Sequence, residues 1–155
     1  MFVHYDKKEV LISSEPVKDV DQVYLLWINR KASGFITLRP CSDSFAEHDL
    51  DIIDTVFLRK NVRSQGHVTK FILKKLQQDP EQDLGFSQPV SNKMLRSLLR
   101  LLKTAPEYRD RIWIVDEATE ERQMLWWSAK KIARQRDIDI KDLMKTSSPK
   151  IVINT

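Results

Sequence analysis

A single cysteine among 155 residues excludes an internal disulfide and suits a reducing compartment. Cys41 has no base beside it in sequence that would make it a catalytic thiol. It follows Pro40 at a strand end and reads as a small, partly buried residue. Glycine is nearly as scarce. Gly34, Gly66 and Gly85 are the only three, so each marks a place where the backbone calls for one. No apolar run approaches the roughly 20 residues that span a bilayer. The opening MFVHYDKKEV lacks the apolar stretch of a secretion signal. An intracellular location, cytoplasmic or nuclear, is the expectation. Three scattered histidines give no metal-ligand spacing, and no Ser–His–Asp or Cys–His arrangement occurs. Internal repeats and low-complexity segments are missing as well.

What is present is the composition of a globular domain, 41% hydrophobic and 31% charged, at a length that supports one real core. The net charge of +4 is unevenly placed. From Ala118 onward eight Lys/Arg face five Asp/Glu, so this tail carries +3 of it. A diffuse basic balance does not by itself point to nucleic acid.

The first twenty residues, through Pro16 and Asp19, are too polar for more than one short element. Gln22 to Asn29 is β-branched and aromatic and predicts a strand. Arg30 to Gly34 reads as a hairpin turn, with Gly34 free to take positive φ. Phe35 to Arg39 returns as the partner, Pro40 ends it, and Cys41 to Asp49 is a polar loop. Leu50 to Leu58 is nearly continuous in apolar residues, as in a strand buried on both faces.

Arg59 to Gln65 then forms a basic turn, and a helix begins near Gly66. Val68, Phe71, Ile72 and Leu76 recur at helical spacing toward a sheet, while Lys70, Lys74 and Lys75 face water. Asp79-Pro80 stops it. Leu84 to Gln88 predicts a short strand, and Asn92 caps a second helix running to about Lys103. Leu95, Leu98, Leu99 and Leu102 point to the core. Lys93, Arg96, Arg100 and Lys103 make a basic stripe, a solvated face or a surface for acidic partners. Arg111 to Glu117 is a further strand. The order predicts an α/β fold with a mixed, mostly antiparallel sheet and packed helices.

The hairpin, the run IIDTVFLRK with its basic turn and helix, and LGFSQPVS before the next helix resemble the acetyltransferase-like domain of a known family. It is the soluble lamin-associated protein family, the family with sequence similarity one-six-nine, and the likeness is to its B-type branch. The resemblance covers Val23 to Glu117 and implies a GNAT-like fold, here incomplete. In active GNAT enzymes a motif [RQ]-x-x-G-x-[GA] presents backbone N–H groups to the pyrophosphate of acetyl-CoA. On this sequence it falls on Arg63, Gly66 and Val68, with Phe57 and Leu58 on the strand before it. Val68 departs from the pattern, a β-branched residue in place of Gly or Ala. Ser64 and His67 add bulk, and His67 reads as an exposed helix-start residue rather than a base.

The tyrosine that many such enzymes use to protonate the leaving thiolate has no counterpart, because alignment from Asn92 puts Leu99 there. Tyr108 lies in a loop beyond Pro106. Asp51 and Asp54 remain as a base or as structural carboxylates. The resemblance also implies a first strand and two helices that residues 1–20 cannot supply, hence a domain shortened at its N-terminus. Two regions are expected, a GNAT-like domain over 1–117 and a basic, partly helical tail over 118–155. In that tail Met124, Leu125, Trp126, Trp127 and Ile132 sit among basic residues, either patching the sheet or serving a membrane surface, partner groove or nucleic acid.

The expected function is a binding or interaction module without acetyltransferase activity or resident metal, acetyl-CoA being a possible ligand. The alternatives are an acetyl-CoA-dependent N-acyltransferase with an amine acceptor, or a protein that binds acidic partners through its tail. The family likeness implies a nuclear or lamina-associated partner.

Overall fold

The computed structural model describes residues 2–5, 21–41 and 50–145. The readings made of residues 6–20, 42–49 and 146–155 lie outside the described residues.

Among the described residues seven strands form one sheet in sequence order: β1 (Phe2–Tyr5), β2 (Gln22–Ile28), β3 (Lys31–Arg39), β4 (Leu50–Leu58), β5 (Asp83–Ser87), β6 (Ile112–Asp116) and β7 (Glu121–Met124). Pairing is antiparallel from β1 to β4 and between β6 and β7, and parallel for β4–β5 and β5–β6. The fold is thus α/β with a mixed, mostly antiparallel sheet. Helices α1 (His67–Gln78) and α2 (Asn92–Thr104) supply the crossovers that the parallel pairs need. Helices α3 (Leu125–Gln135) and the short α4 (Ile140–Leu143) follow β7.

One buried cluster joins the sheet to α1, α2, α3 and α4. Ile36, Ile53, Phe86 and Ile114 from the strands meet Phe71, Leu99, Leu125 and Leu143 from the helices. The other sheet face holds a smaller cluster of Leu50, Ile52 and Val115, with Trp113 against it. Both helix faces foreseen from spacing are present, since Phe71, Ile72 and Leu76 are buried on α1 and Leu95, Leu98, Leu99 and Leu102 on α2. Lys75 differs. Its ammonium donates to the Tyr24 hydroxyl at 2.9 Å instead of standing free in water.

Several local expectations are corrected. The hairpin turn is Asn29–Arg30, with φ of 49° and 62°, a two-residue loop whose positive angles match the twist of its strands. Gly34 lies inside β3, paired with Leu26 and Leu58. Ser91 caps α2, its hydroxyl accepting from the Met94 amide, and Asn92 is the first helical residue. β4 is buried at Leu50, Ile52 and Ile53, but Asp54, Thr55 and Phe57 are exposed, so its apolar run is not covered on both faces throughout. After Glu117 the chain does not enter a helix directly. A turn leads into β7, which pairs with β6, and α3 starts only at Leu125.

Arg111, just before β6, fastens the far end of α1. Its guanidinium donates to the Leu76 carbonyl at 3.0 Å, to Asp79 at 2.7 Å and to Gln82 at 2.8 Å, with the Asp83 carboxylate 3.6 Å away. Helix C-termini leave carbonyls without intrahelical donors, and a charged donor meets that need. Arg111→Ala is therefore expected to destabilise the fold by about 3 kcal/mol. A urea titration that moved the midpoint no further than a surface Arg→Ala control would contradict this role.

Candidate functional site

β4 and β5 pair only from Leu50/Asp83 to Ile53/Phe86. Beyond that level β5 ends at Ser87, while β4 continues to Leu58 alongside β3 alone. The strands part where β4 carries an extra residue. Leu38 faces Ile53 and Thr37 faces Thr55, so Asp54 is the bulge. The Thr37 hydroxyl accepts the Thr55 amide at 3.0 Å and holds the bulge in place.

Two cavities open at this parting. One of about 280 Å³ lies between the end of β4 and the starts of α1 and α2. The other, about 260 Å³, lies lower between β4 and β5. Val56, Ser91 and Met94 line both, so they form one elongated cleft. All five residues expected from the sequence, Phe57, Leu58, Arg63, Gly66 and Val68, line its upper part. The second wall, built by Ser91, Lys93, Met94 and Ser97 of α2, was not foreseen. Its signal was the short connection from β5 into a serine-capped helix, which brings that helix start beside β4.

The upper end is electropositive for backbone reasons. Ser64 (φ 62°) and Gly66 (φ 81°) turn the chain into α1. That helix has neither a side-chain cap nor an acid in its first turn. Its leading N–H groups thus open into the cleft. A Cβ built on Gly66 would meet nothing within 4 Å, so glycine answers to the backbone angle and the space before it is open. The Arg63 Nε donates to the Leu58 carbonyl at 2.8 Å, which folds this side chain along the cleft wall. His67 is the first residue of α1, its Nε2 3.2 Å from Gln65 Oε1. Burial first, and then the Lys70 charge, hold its pKa below the usual histidine value. Val68 both lines the cleft and packs against the main core.

The other candidates disperse. Leu99 is fully buried. Tyr108 stands beyond the C-terminal end of α2, which lies about 10 Å along that helix from the cleft residue Ser97. The Asp51 carboxylate accepts the Cys41 amide at 2.8 Å, whereas Asp54 borders the lower cavity. The α2 stripe is divided: Lys93 lines the cleft, while the Arg96 charge acts on Asp142 of α4. Trp126 packs on the core beneath the Arg109 guanidinium, 3.9 Å from its ring centroid. Trp127 is 65% exposed and donates its indole N–H to Asp110 at 2.7 Å. Among the described residues no cluster of metal-ligating side chains occurs, and no helix is long and apolar enough to cross a membrane.

Over 120 residues, 74% of its length, the chain is 30% identical to the protein FAM169B of Mus musculus. That stretch takes in 34% of FAM169B, so the chain spans about a third of the curated relative it matches. The likeness supports the family resemblance already seen in the hairpin, central strand and basic turn. No family profile matches the chain, and no solved structure matches it.

Proposed function

We infer that the chain belongs with the FAM169 proteins, that its sheet is GNAT-like, and that its cleft binds an acyl-CoA-type ligand without transferring the acyl group. The observation that carries this reading is the gathering of Phe57, Leu58, Arg63, Gly66 and Val68 on one cleft beside an uncapped helix start. An elongated ligand with phosphates at one end and an amide-containing arm suits such a site. The phosphates meet free N–H groups, Arg63 and Lys93. The arm lies along Val56 and Met94, where the β4 backbone has no partner strand on the β5 side. Leu99 supports binding over transfer. The position at which the resemblance calls for a proton-donating tyrosine is apolar and sealed in the core.

Isothermal titration with acetyl-CoA tests the reading directly. Binding is expected for the native chain, with no free thiol released in the presence of a peptide and polyamine panel. Gly66→Glu, which places a carboxylate before the helix start, is expected to abolish the heat, and Val68→Gly to strengthen it. No heat from either the native chain or Val68→Gly would end this proposal.

A second reading, N-acyl transfer to an amine, is favoured by Asp54, whose exposed carboxylate borders the lower cavity. Thiol release that disappears in Asp54→Asn while acetyl-CoA binding persists would establish it in place of the first.

A further inference from the structure

We propose that the sheet end built by the β2–β3 hairpin and the turn after β4, with the adjoining sheet face opposite the helices, binds single-stranded nucleic acid. The charge pattern is the first ground. Residues 28–34 and 58–70 carry Arg30, Lys31, Arg59, Lys60, Arg63 and Lys70, all exposed, and not one carboxylate. The Arg59 amide donates to the Ser33 carbonyl at 2.8 Å, which keeps the two basic segments side by side. Arg30, Lys31, Arg59 and Lys60, on the two segments joined in this way, form a track for phosphates.

The second ground is aromatic. Two of the exposed large hydrophobic residues, Trp27 at 46% and Phe57 at 45%, flank this end. The neighbours of Phe57 on β4 include Val56, which packs on the helix-side core, so alternation turns the Phe57 ring to the opposite face and leaves its main chain at the edge of the cleft. Trp27 follows by the same alternation from Tyr24, which also packs on the helix side. Cross-strand register sets Leu25, Phe35 and Phe57 in one row, with the Phe35 and Phe57 ring centroids 5.6 Å apart. Among the described residues three carboxylates gather about Arg39, with Asp21 at 3.5 Å, Glu117 at 2.8 Å and the Asp54 charge acting on the same guanidinium. Arg39 pairs with Ile52, well down the strands from the basic end.

Unstacked bases need π-faces beside a phosphate track, and a duplex offers no free base faces. A lipid surface fits less well. Within the turns themselves, residues 29–31 and 59–66, the one apolar side chain is Val62, and it is buried. The aromatics stand on the flat of the strands, where a bilayer resting on the turns would not cover them.

The test is fluorescence anisotropy with a labelled oligouridylate of about 12 nucleotides, within the usual site size for single strands. Expected is binding that weakens steeply with salt. Reversing Arg30 and Lys31 together (R30E/K31E), both outside the cleft, should weaken it at least about tenfold and flatten the salt slope by about 1.4. Phe57→Leu should cost about tenfold with the slope retained, the mark of a lost stack. Reversing Lys130 and Lys131 of α3 (K130E/K131E) should change little. Equal weakening by the α3 pair, a salt-independent signal, or sedimentation with phosphatidylserine vesicles in the absence of oligonucleotide binding would each overturn the proposal. Acetyl-CoA titration of R30E/K31E separates the two functional readings, since neither residue touches the cleft.

Discussion

A chain ended at Glu117 is expected to lose cooperative thermal unfolding altogether. The deleted part holds β7, α3 and α4, and its helices contribute to the main core. Leu125, Ile132 and Leu143 are buried in the same cluster as Ile36 and Leu99, with Ala129 and Ala133 between them. Loss of one large core side chain costs about 2–5 kcal/mol. Three such losses, about 6–15 kcal/mol together, are as large as the roughly 5–15 kcal/mol that stabilises a typical domain. Removing β7 would also leave β6 at the sheet edge with unpaired N–H and C=O groups. Arg136 adds a polar tie, donating from one nitrogen to the Val90 carbonyl at 2.6 Å and to Asn92 Oδ1 at 2.8 Å, so the end of α3 steadies the start of α2. Circular dichroism and a thermal scan of the 1–117 chain check this. A sharp transition near that of the full chain would show instead that 118–155 is a separable tail.

Gly34→Ala is the second substitution with a large expected effect, a loss of about 3 kcal/mol at the upper end of overpacking costs. A Cβ on Gly34 would stand 2.4 Å from the Phe57 carbonyl oxygen and 2.6 Å from Leu58 Cδ2. The first of these is backbone and cannot swing away, so β3 and β4 must separate at the level where the cleft begins. A fall in melting temperature of roughly 10 °C is expected for a domain of this size. Gly66→Ala makes the informative comparison. Its Cβ meets open space, and only the left-handed backbone angle is strained, at about 1–2 kcal/mol. If the two substitutions proved equally costly, close approach would not be the reason for Gly34.

These two glycines mark the border of what could be read in the sequence. Period and composition located β2, β4, α1 and α2 nearly to the residue, because each buries a regular apolar set. Gly34 was misplaced into the turn because glycine commonly marks one. Asn29 and Arg30 take the positive φ angles instead, and an arginine there leaves no compositional trace. β7 escaped notice for a related reason. Its residues, Glu121 to Met124, have no buried member, and only pairing with β6 makes them a strand. In the site, the β4 side was legible through Arg63 and Gly66, which the family resemblance marked. The α2 wall and the lower cavity depend on where two strands part, and that follows from the Asp54 bulge and the early end of β5. Neither has a periodic signature.

Arg111 holds three carbonyls around the C-terminal end of α1, while among the described residues no side chain caps the N-terminal N–H groups of the same helix. Between those two ends Val68, Phe71, Ile72 and Leu76 seat the helix on the main core. An occupant of the cleft would therefore meet donors whose place is already set, and would order little beyond the turn that leads into Gly66. The entropy cost of ordering falls on a few residues of one turn, and the sheet beneath need not move.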